Sequence, residues 1–437
     1  MKKTTILFCI ISLNLVLGQQ TPANEQTQNI LITNAFIHIG NGTTIENGSI
    51  SFSDGIINYV GENISKEDSF PLLLSKKQSR VINANGKHIY PGFIAINSTL
   101  GLVEIDAVRA SDDEDELGDF LPHIRSAIAY NAESKVVESV RPNGVLIAQV
   151  VPRGGTISGS SSVMQLDAWN WEDALLKSDE GIHMNWPSPY SRGRWWLGED
   201  PSLKENKDYS KSTTSIKNFF EESKVYSGQK PKHLPYSSMK GVFDGSKTMY
   251  LHASYEKQIV DGVNFLKEQK IKNIVLVHGE QSINQIKYLK DNKIPVIISR
   301  PHRLPDNEDH DPKLTFKLAK KLIEKGIIVS IDPSGQMERM NTRNLPFYAG
   351  SFSAYGVDKE EALKMITINA AKILGIDKQL GSLEVGKDAT LFVSKGDALD
   401  MRTNILSNAF INGREISLET HQTELWKRYS EKFSTQK

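Results

Sequence analysis

The chain has 437 residues, 39% of them hydrophobic and 24% charged, with Lys+Arg and Asp+Glu equal at 52 each. Such a composition describes a folded protein too large for one small core and excludes a disordered or fibrous chain. Its formal net charge of zero gives no electrostatic support to a nucleic-acid or anionic-membrane partner.

Residues 1 to 18 read as an export signal. Lys2 and Lys3 supply a basic start, and Ile6 to Leu17 is an apolar run too short to span a bilayer comfortably. Val16 and Gly18 suit a cleavage site, which places the cut after Gly18 and the mature protein in the periplasm or outside the cell. Cys9, the single cysteine, falls inside this segment, so the mature chain has no thiol. No later run is long and apolar enough to cross a membrane.

After a polar leader at residues 19 to 29, short β-type runs begin at Ile30. They are broken by the hairpin dipeptides Asn41-Gly42, Asp54-Gly55 and Asn85-Gly86. Beyond Pro91 the character changes to strand-helix alternation. Predicted strands are Phe93–Ile96, Val145–Val151, Val163–Leu166, Met249–Leu251, Ile274–Val277, Val296–Ser299 and Ile327–Ile331. Predicted helices between them are Tyr255–Gln269, Ser282–Lys290 and Leu314–Lys325. This α/β alternation over residues 91 to 377 argues a parallel (β/α)8 TIM-like barrel, with an open doubly wound sheet as the alternative.

Two insertions interrupt the alternation: the acidic run Asp112 to Asp119, and residues 196 to 248 with little periodicity. Both read as solvated loops, with cation binding a lesser reading of the acidic one. Asp358 to Leu374 predicts one amphipathic helix with Asp358 and Glu361 as a capping box and Gly375 as its stop. β-type runs then return, and the chain ends in a polar, helical tail.

The pivot of the sequence is Tyr90 to Thr99, YPGFIAINST, where an apolar strand ends in Asn97, Ser98 and Thr99. VINANGKHIYPGFI (81–94) and GSLEVGKDATLFV (381–393), with Asn369-Ala370-Ala371 and Ile373-Leu374-Gly375, resemble the amidohydrolase superfamily, in particular its imidazolonepropionase-like branch. The resemblance covers residues 30 to 415. It implies a composite β-sandwich from residues 30–90 and 378–418 beside a barrel over 91–377. It also implies a metal-dependent hydrolase of C–N bonds in a cyclic amide, amide or dipeptide-like small molecule.

Position by position, the resemblance is uneven. The family's first barrel strand carries an Asp and then a His-x-His pair; here those positions hold Ala95, Asn97 and Thr99, poor zinc ligands. His252 and His278 match metal histidines, and Asp332 matches the carboxylate that binds metal or deprotonates its water. Lys240 is a candidate for the bridging ligand. Two histidines and one aspartate imply a single divalent ion, Zn²⁺, with water in the fourth position. The alternative is a non-catalytic binding or assembly protein that lost its metal centre, as a homo-oligomer or paired with an intact amidohydrolase.

Residue chemistry adds three expectations. The glycine-rich VPRGGTISGSSSV (151–163) with Arg153 is a candidate anion site or a structural turn. Arg343 is a candidate partner for an acidic substrate group, a salt bridge being its alternative. Trp169, Trp171, Trp186, Trp195 and Trp196 either line a pocket or pack loops.

Overall fold

The computed structural model describes residues 21–64, 79–305, 310–335 and 338–434, so the expected export signal and Cys9 lie outside the described residues. Strands run β1 (Asn29–His38), β2 (Thr44–Ser53), β3 (Ile56–Glu62), β4 (Ser79–Asn83), β5 (His88–Pro91), β6 (Phe93–Ser98), β7 (Val145–Val150), β8 (Ile157–Gln165) and β9 (Leu175–Asn185). They continue with β10 (Tyr190–Ser191), β11 (Lys204–Glu205), β12 (Thr248–Ala253), β13 (Ile274–His278), β14 (Val296–Ser299), β15 (Val329–Asp332), β16 (Leu391–Ser394), β17 (Leu406–Ile411) and β18 (Arg414–Glu415).

The two chain ends build one mixed sheet in the order β18-β17-β16-β5-β1-β2-β3, with β4 also paired to β1. Period-two burial brings Ile30, Ile32, Ile37, Ile50, Phe52, Ile89, Leu391 and Phe410 into one core. Ile56 bridges Asp388, so the β2–β3 hairpin meets the segment that leads into β16. The expected composite of N- and C-terminal strands is therefore present, as a single ladder-connected sheet.

Eight strands, in the order β6 to β9 and β12 to β15, make a nearly closed barrel. It differs from an all-parallel barrel at one place. β8 runs antiparallel to both β7 and β9, so β7, β8 and β9 form a meander where two βαβ crossovers are expected. Gly154 (φ 78°) and Gly155 (φ 58°) take left-handed conformations in the turn that reverses the chain before β8. β9 was not among the predicted strands because Lys177, Ser178, Asp179 and Glu180 interrupt its apolar pattern.

The predicted helices appear at Glu256–Glu268, Ile286–Asp291 and Leu314–Ile323. Within the second insertion, Tyr209–Val225 is a 17-residue helix that buries Ile216, Phe219 and Phe220. The single closing helix divides into Lys359–Met365 and Ile368–Leu374. Asp358 caps the first piece, accepting from the backbone N–H groups of Glu360 and Glu361. The break falls at Ile366, whose carbonyl accepts from the N–H of Ile94 in β6 at 2.9 Å. A barrel-strand donor thus replaces the next helical turn at the seam of the barrel.

A buried ion triad fixes the small sheet to the barrel. Asp167, just after β8, pairs with Arg141 at 2.8 Å and with Arg414 of β18 at 3.0 Å. The same carboxylate accepts from the backbone N–H of Ala23 at 2.9 Å.

Candidate active site

The parallel strands deliver their last residues to one end of the barrel, where such folds keep their chemistry. His252 is the fifth residue of β12, His278 the last of β13, Ser299 the last of β14 and Asp332 the last of β15. Asn97 lies near the end of β6, with φ 56°, a left-handed conformation that Asn tolerates better than most residues. His278 has φ 75°, a strained backbone of the kind that clusters at functional sites.

These side chains form one continuous network. His183 Nε2 lies 2.9 Å from Ser161 Oγ, and His183 Nδ1 lies 2.9 Å from His252 Nε2. His252 Nδ1 is 3.4 Å from His278 Nε2, and His278 Nδ1 is 3.3 Å from Asp332 Oδ2. Below them, Glu180 accepts from Gln149 Nε2 (2.6 Å), Ser161 Oγ (2.6 Å) and the Tyr250 hydroxyl (2.9 Å).

Hydrogens can be assigned along the chain in one self-consistent direction. With Glu180 ionised and taking the Ser161 hydroxyl hydrogen, His183 Nε2 donates to Ser161 and His183 Nδ1 is left as acceptor. His252 Nε2 then donates to His183, and His278 Nε2 donates to His252 Nδ1. His278 Nδ1 faces both Asp332 Oδ2 and Ser299 Oγ at 3.3 Å, and in this assignment the ring, protonated on both nitrogens, pairs with the carboxylate as an imidazolium.

Electrostatics agree with that assignment. Burial holds His183 and His252 well below the usual imidazole range, with His183 adding to the effect on His252. Burial also acts to lower His278, but the hydrogen bond and charge of Asp332 outweigh it and raise the ring. Burial acts to raise Asp332, yet His278, Ser334 and Arg153 together hold it below the ordinary carboxylate range. Glu180 moves the other way, raised by burial, with its three donors only partly offsetting that cost.

The arrangement does not fit a resident divalent ion. In this assignment each imidazole lone pair in the relay accepts a hydrogen bond. Asp332 Oδ2 takes Asn97 Nδ2 (3.0 Å) and Ser334 Oγ (2.6 Å) besides His278, and Oδ1 takes the Ser334 N–H (2.7 Å). Among the described residues, no group of three or more His, Cys, Asp or Glu side chains is placed to hold a metal ion. His252 and His278 do converge, as the sequence implied, but as links of a proton-sharing chain.

The other expected site residues are dispersed. Arg153 reaches inward, donating to Asn97 Oδ1 at 3.1 Å and to the Asn97 carbonyl at 2.8 Å. Thr99 is buried just beyond β6. Arg343 is exposed, and its carbonyl accepts from Asn143, which precedes β7. That is the opposite end of the strand from Arg153, so Arg343 is not part of this cluster. Lys240 is exposed in the short helix Lys240–Asp244 and belongs to no barrel strand. The tryptophans do not line one pocket: Trp169, Trp195 and Trp196 are exposed, while Trp186 is buried and donates to the Tyr209 hydroxyl.

Sequence reading missed Gln149, Ser161, Glu180 and His183. The visible signal was Gln149, a polar residue in the middle of VLIAQVV.

A profile described as "Amidohydrolase family" matches residues 201–417. The match spans just under half of the chain. The chain is 24% identical over 387 residues to a 5-methylthioadenosine/S-adenosylhomocysteine deaminase of Thermoanaerobacter pseudethanolicus, covering 80% of each. The fold is amidohydrolase-like as well. A Thermotoga maritima amidohydrolase superposes with a TM-score of 0.75 at 24% identity, over 88% of this chain and 99% of that one. A zinc-bound adenosine deaminase from Xanthomonas campestris superposes with a TM-score of 0.50 at 12% identity, covering 90% and 93%.

Proposed function

We propose that this amidohydrolase-family chain binds a small molecule with an N–H donor beside a C–N bond, and that metal-assisted hydrolysis is not carried by this cluster. The observation that carries the reading is the unbroken contact chain from Ser161 to Asp332, in which the three imidazoles, Asn97 and Ser334 satisfy one another and the carboxylate without an ion. Support for the ligand class comes from Glu280. Its Oε1 accepts from Ser299 at 3.0 Å and pairs with Arg303 at 2.7 Å. Its buried Oε2 has no hydrogen-bond partner among the described residues, and it borders a cleft lined by His278, Ser299, Arg303 and Leu314. A buried carboxylate oxygen beside a cavity of about 20 Å³ takes a hydrogen-bond donor, which a water or a ligand N–H reaching in from the barrel mouth can supply. The adenosine compounds for which the deaminase relatives are named fall in that class, as do cyclic amides and dipeptides.

Calorimetry with 5-methylthioadenosine, a cyclic amide and a dipeptide, alongside product assays with and without zinc, tests this. The expected result is binding of one class without turnover. Turnover that is removed by a chelator and by His278→Ala would overturn it.

A second reading, a C–N hydrolase working through one divalent ion, is favoured by one distance. The 3.4 Å between His252 and His278 nitrogens is close to the ~3.3 Å ligand edge expected for tetrahedral zinc with Zn–N near 2.0–2.1 Å. It requires His278 Nε2 to carry no proton, so that the two facing nitrogens offer lone pairs to one ion while Nδ1 keeps facing Asp332.

Two finer expectations remain proposals. Placement in the imidazolonepropionase-like branch rests on the motifs at 81–94 and 381–393. Export rests on the basic and apolar start of the chain, and the mass of the mature protein, shortened at Gly18, would test it.

A further inference from the structure

We infer that Arg153 takes the place of a divalent cation at the first barrel strand, holding Asn97 so that this position offers Asp332 a donor and not a metal ligand. The inference rests on the metal-free reading above and explains what replaced the ion.

A guanidinium has donors only. The carboxamide of Asn97 therefore turns its one acceptor, Oδ1, toward Arg153 Nη1 at 3.1 Å. Its Nδ2 is left to face Asp332 Oδ2 at 3.0 Å. The second arm of the fork, Arg153 Nη2 on the Asn97 carbonyl at 2.8 Å, holds the backbone at the same residue. A single planar group thus decides which end of the amide points into the barrel, a task a lysine's point charge does not perform equally well.

Charge leads to the same conclusion. Asp332 is fully buried. A carboxylate in such a place is costly unless paired and hydrogen-bonded. Here Asn97, Ser334 and His278 supply the hydrogen bonds. Arg153 adds a positive field felt at His183, His252, His278 and Asp332. The loop that carries Arg153 is itself held, since its N–H donates to the Glu114 carbonyl at 2.6 Å and Asp115 bridges it. The acidic segment 112–119 thereby acts as a clamp on the arginine.

The test is zinc binding to the full chain, purified without a metal-affinity tag and measured by competition with a chromophoric chelator. Arg153→Met removes both the charge and the constraint on Asn97, freeing Oδ1 to turn inward. Removing one like charge at this range predicts about a hundredfold gain in zinc affinity. Arg153→Lys keeps the charge and should stay within about threefold of the wild type. If the Met variant does not fold, Arg153→Gln, neutral but still able to donate to Asn97, replaces it with an expected gain of about tenfold. A folded neutral variant that binds zinc as weakly as the wild type overturns the inference alone. Wild-type protein that binds zinc stoichiometrically overturns the metal-free reading as well.

Discussion

Asn97 Nδ2 donates to Asp332 Oδ2 across 3.0 Å, joining the first and last barrel strands where they share no backbone ladder among the described residues. The same bond belongs to the seam of the fold and to the centre of the site. Asn97→Leu removes it and leaves a fully buried carboxylate one donor short, at a cost of about 1–3 kcal/mol. Urea denaturation should show a lower midpoint with an unchanged slope. A midpoint equal to that of the wild type would show that the seam does not depend on this bond.

Asp167 is the second structural test. It lies between two buried guanidinium groups, Arg141 and Arg414, and joins them across the barrel and the small sheet. Asp167→Ala strands two cations, and breaking a buried pair of this kind costs about 3–5 kcal/mol. Thermal unfolding should lose many degrees or the variant should fail to accumulate. Full stability would mean that the two arginines find water instead.

Acid should weaken the fold well before carboxylates titrate. Burial lowers His88, His123, His183, His252 and His302, so each stays neutral in the native chain at a pH where the unfolded chain already binds a proton. Their contributions are complete above about pH 6.5 and decline as pH falls below it. His278, raised, acts in the opposite sense: its contribution is full below about pH 6.5 and is lost as pH rises through its folded value. Asp332, lowered, contributes above about pH 3.9 and fails only as pH falls toward its folded value. Glu180 and Asp388, raised by burial, act in the same sense as His278, but the five lowered histidines outnumber these three groups, so the urea midpoint should fall between pH 7 and pH 5, and His252→Gln should flatten that slope. A midpoint that rises toward pH 5 would contradict the neutral assignment of the relay.

Much of this was legible in the sequence because strand-end positions are marked by local pattern. Apolar runs stop at His252, His278 and Asp332, and the structure brings all three to one barrel end. Asn97 and Thr99 were legible as departures from the resemblance, since residue type alone tells a weak zinc ligand from a strong one. What was hidden depends on contacts far apart in the chain. Arg153 looked like an anion site until its partner 56 positions earlier was in place. His183 and Glu180 sit in a strand whose charged start disguised it, and the reversal of β8 follows from two left-handed glycines that also suit an ordinary loop. The break at Ile366 comes from a β6 donor, which helix propensity does not register.

The most direct measurement is the metal content of the full-length protein, purified without a metal-affinity tag, incubated with zinc and then desalted. Atomic emission should find zinc well below one ion per chain, unchanged in His278→Ala. One firmly held ion per chain, lost when His278 is replaced, would contradict the closed hydrogen-bonded site described here.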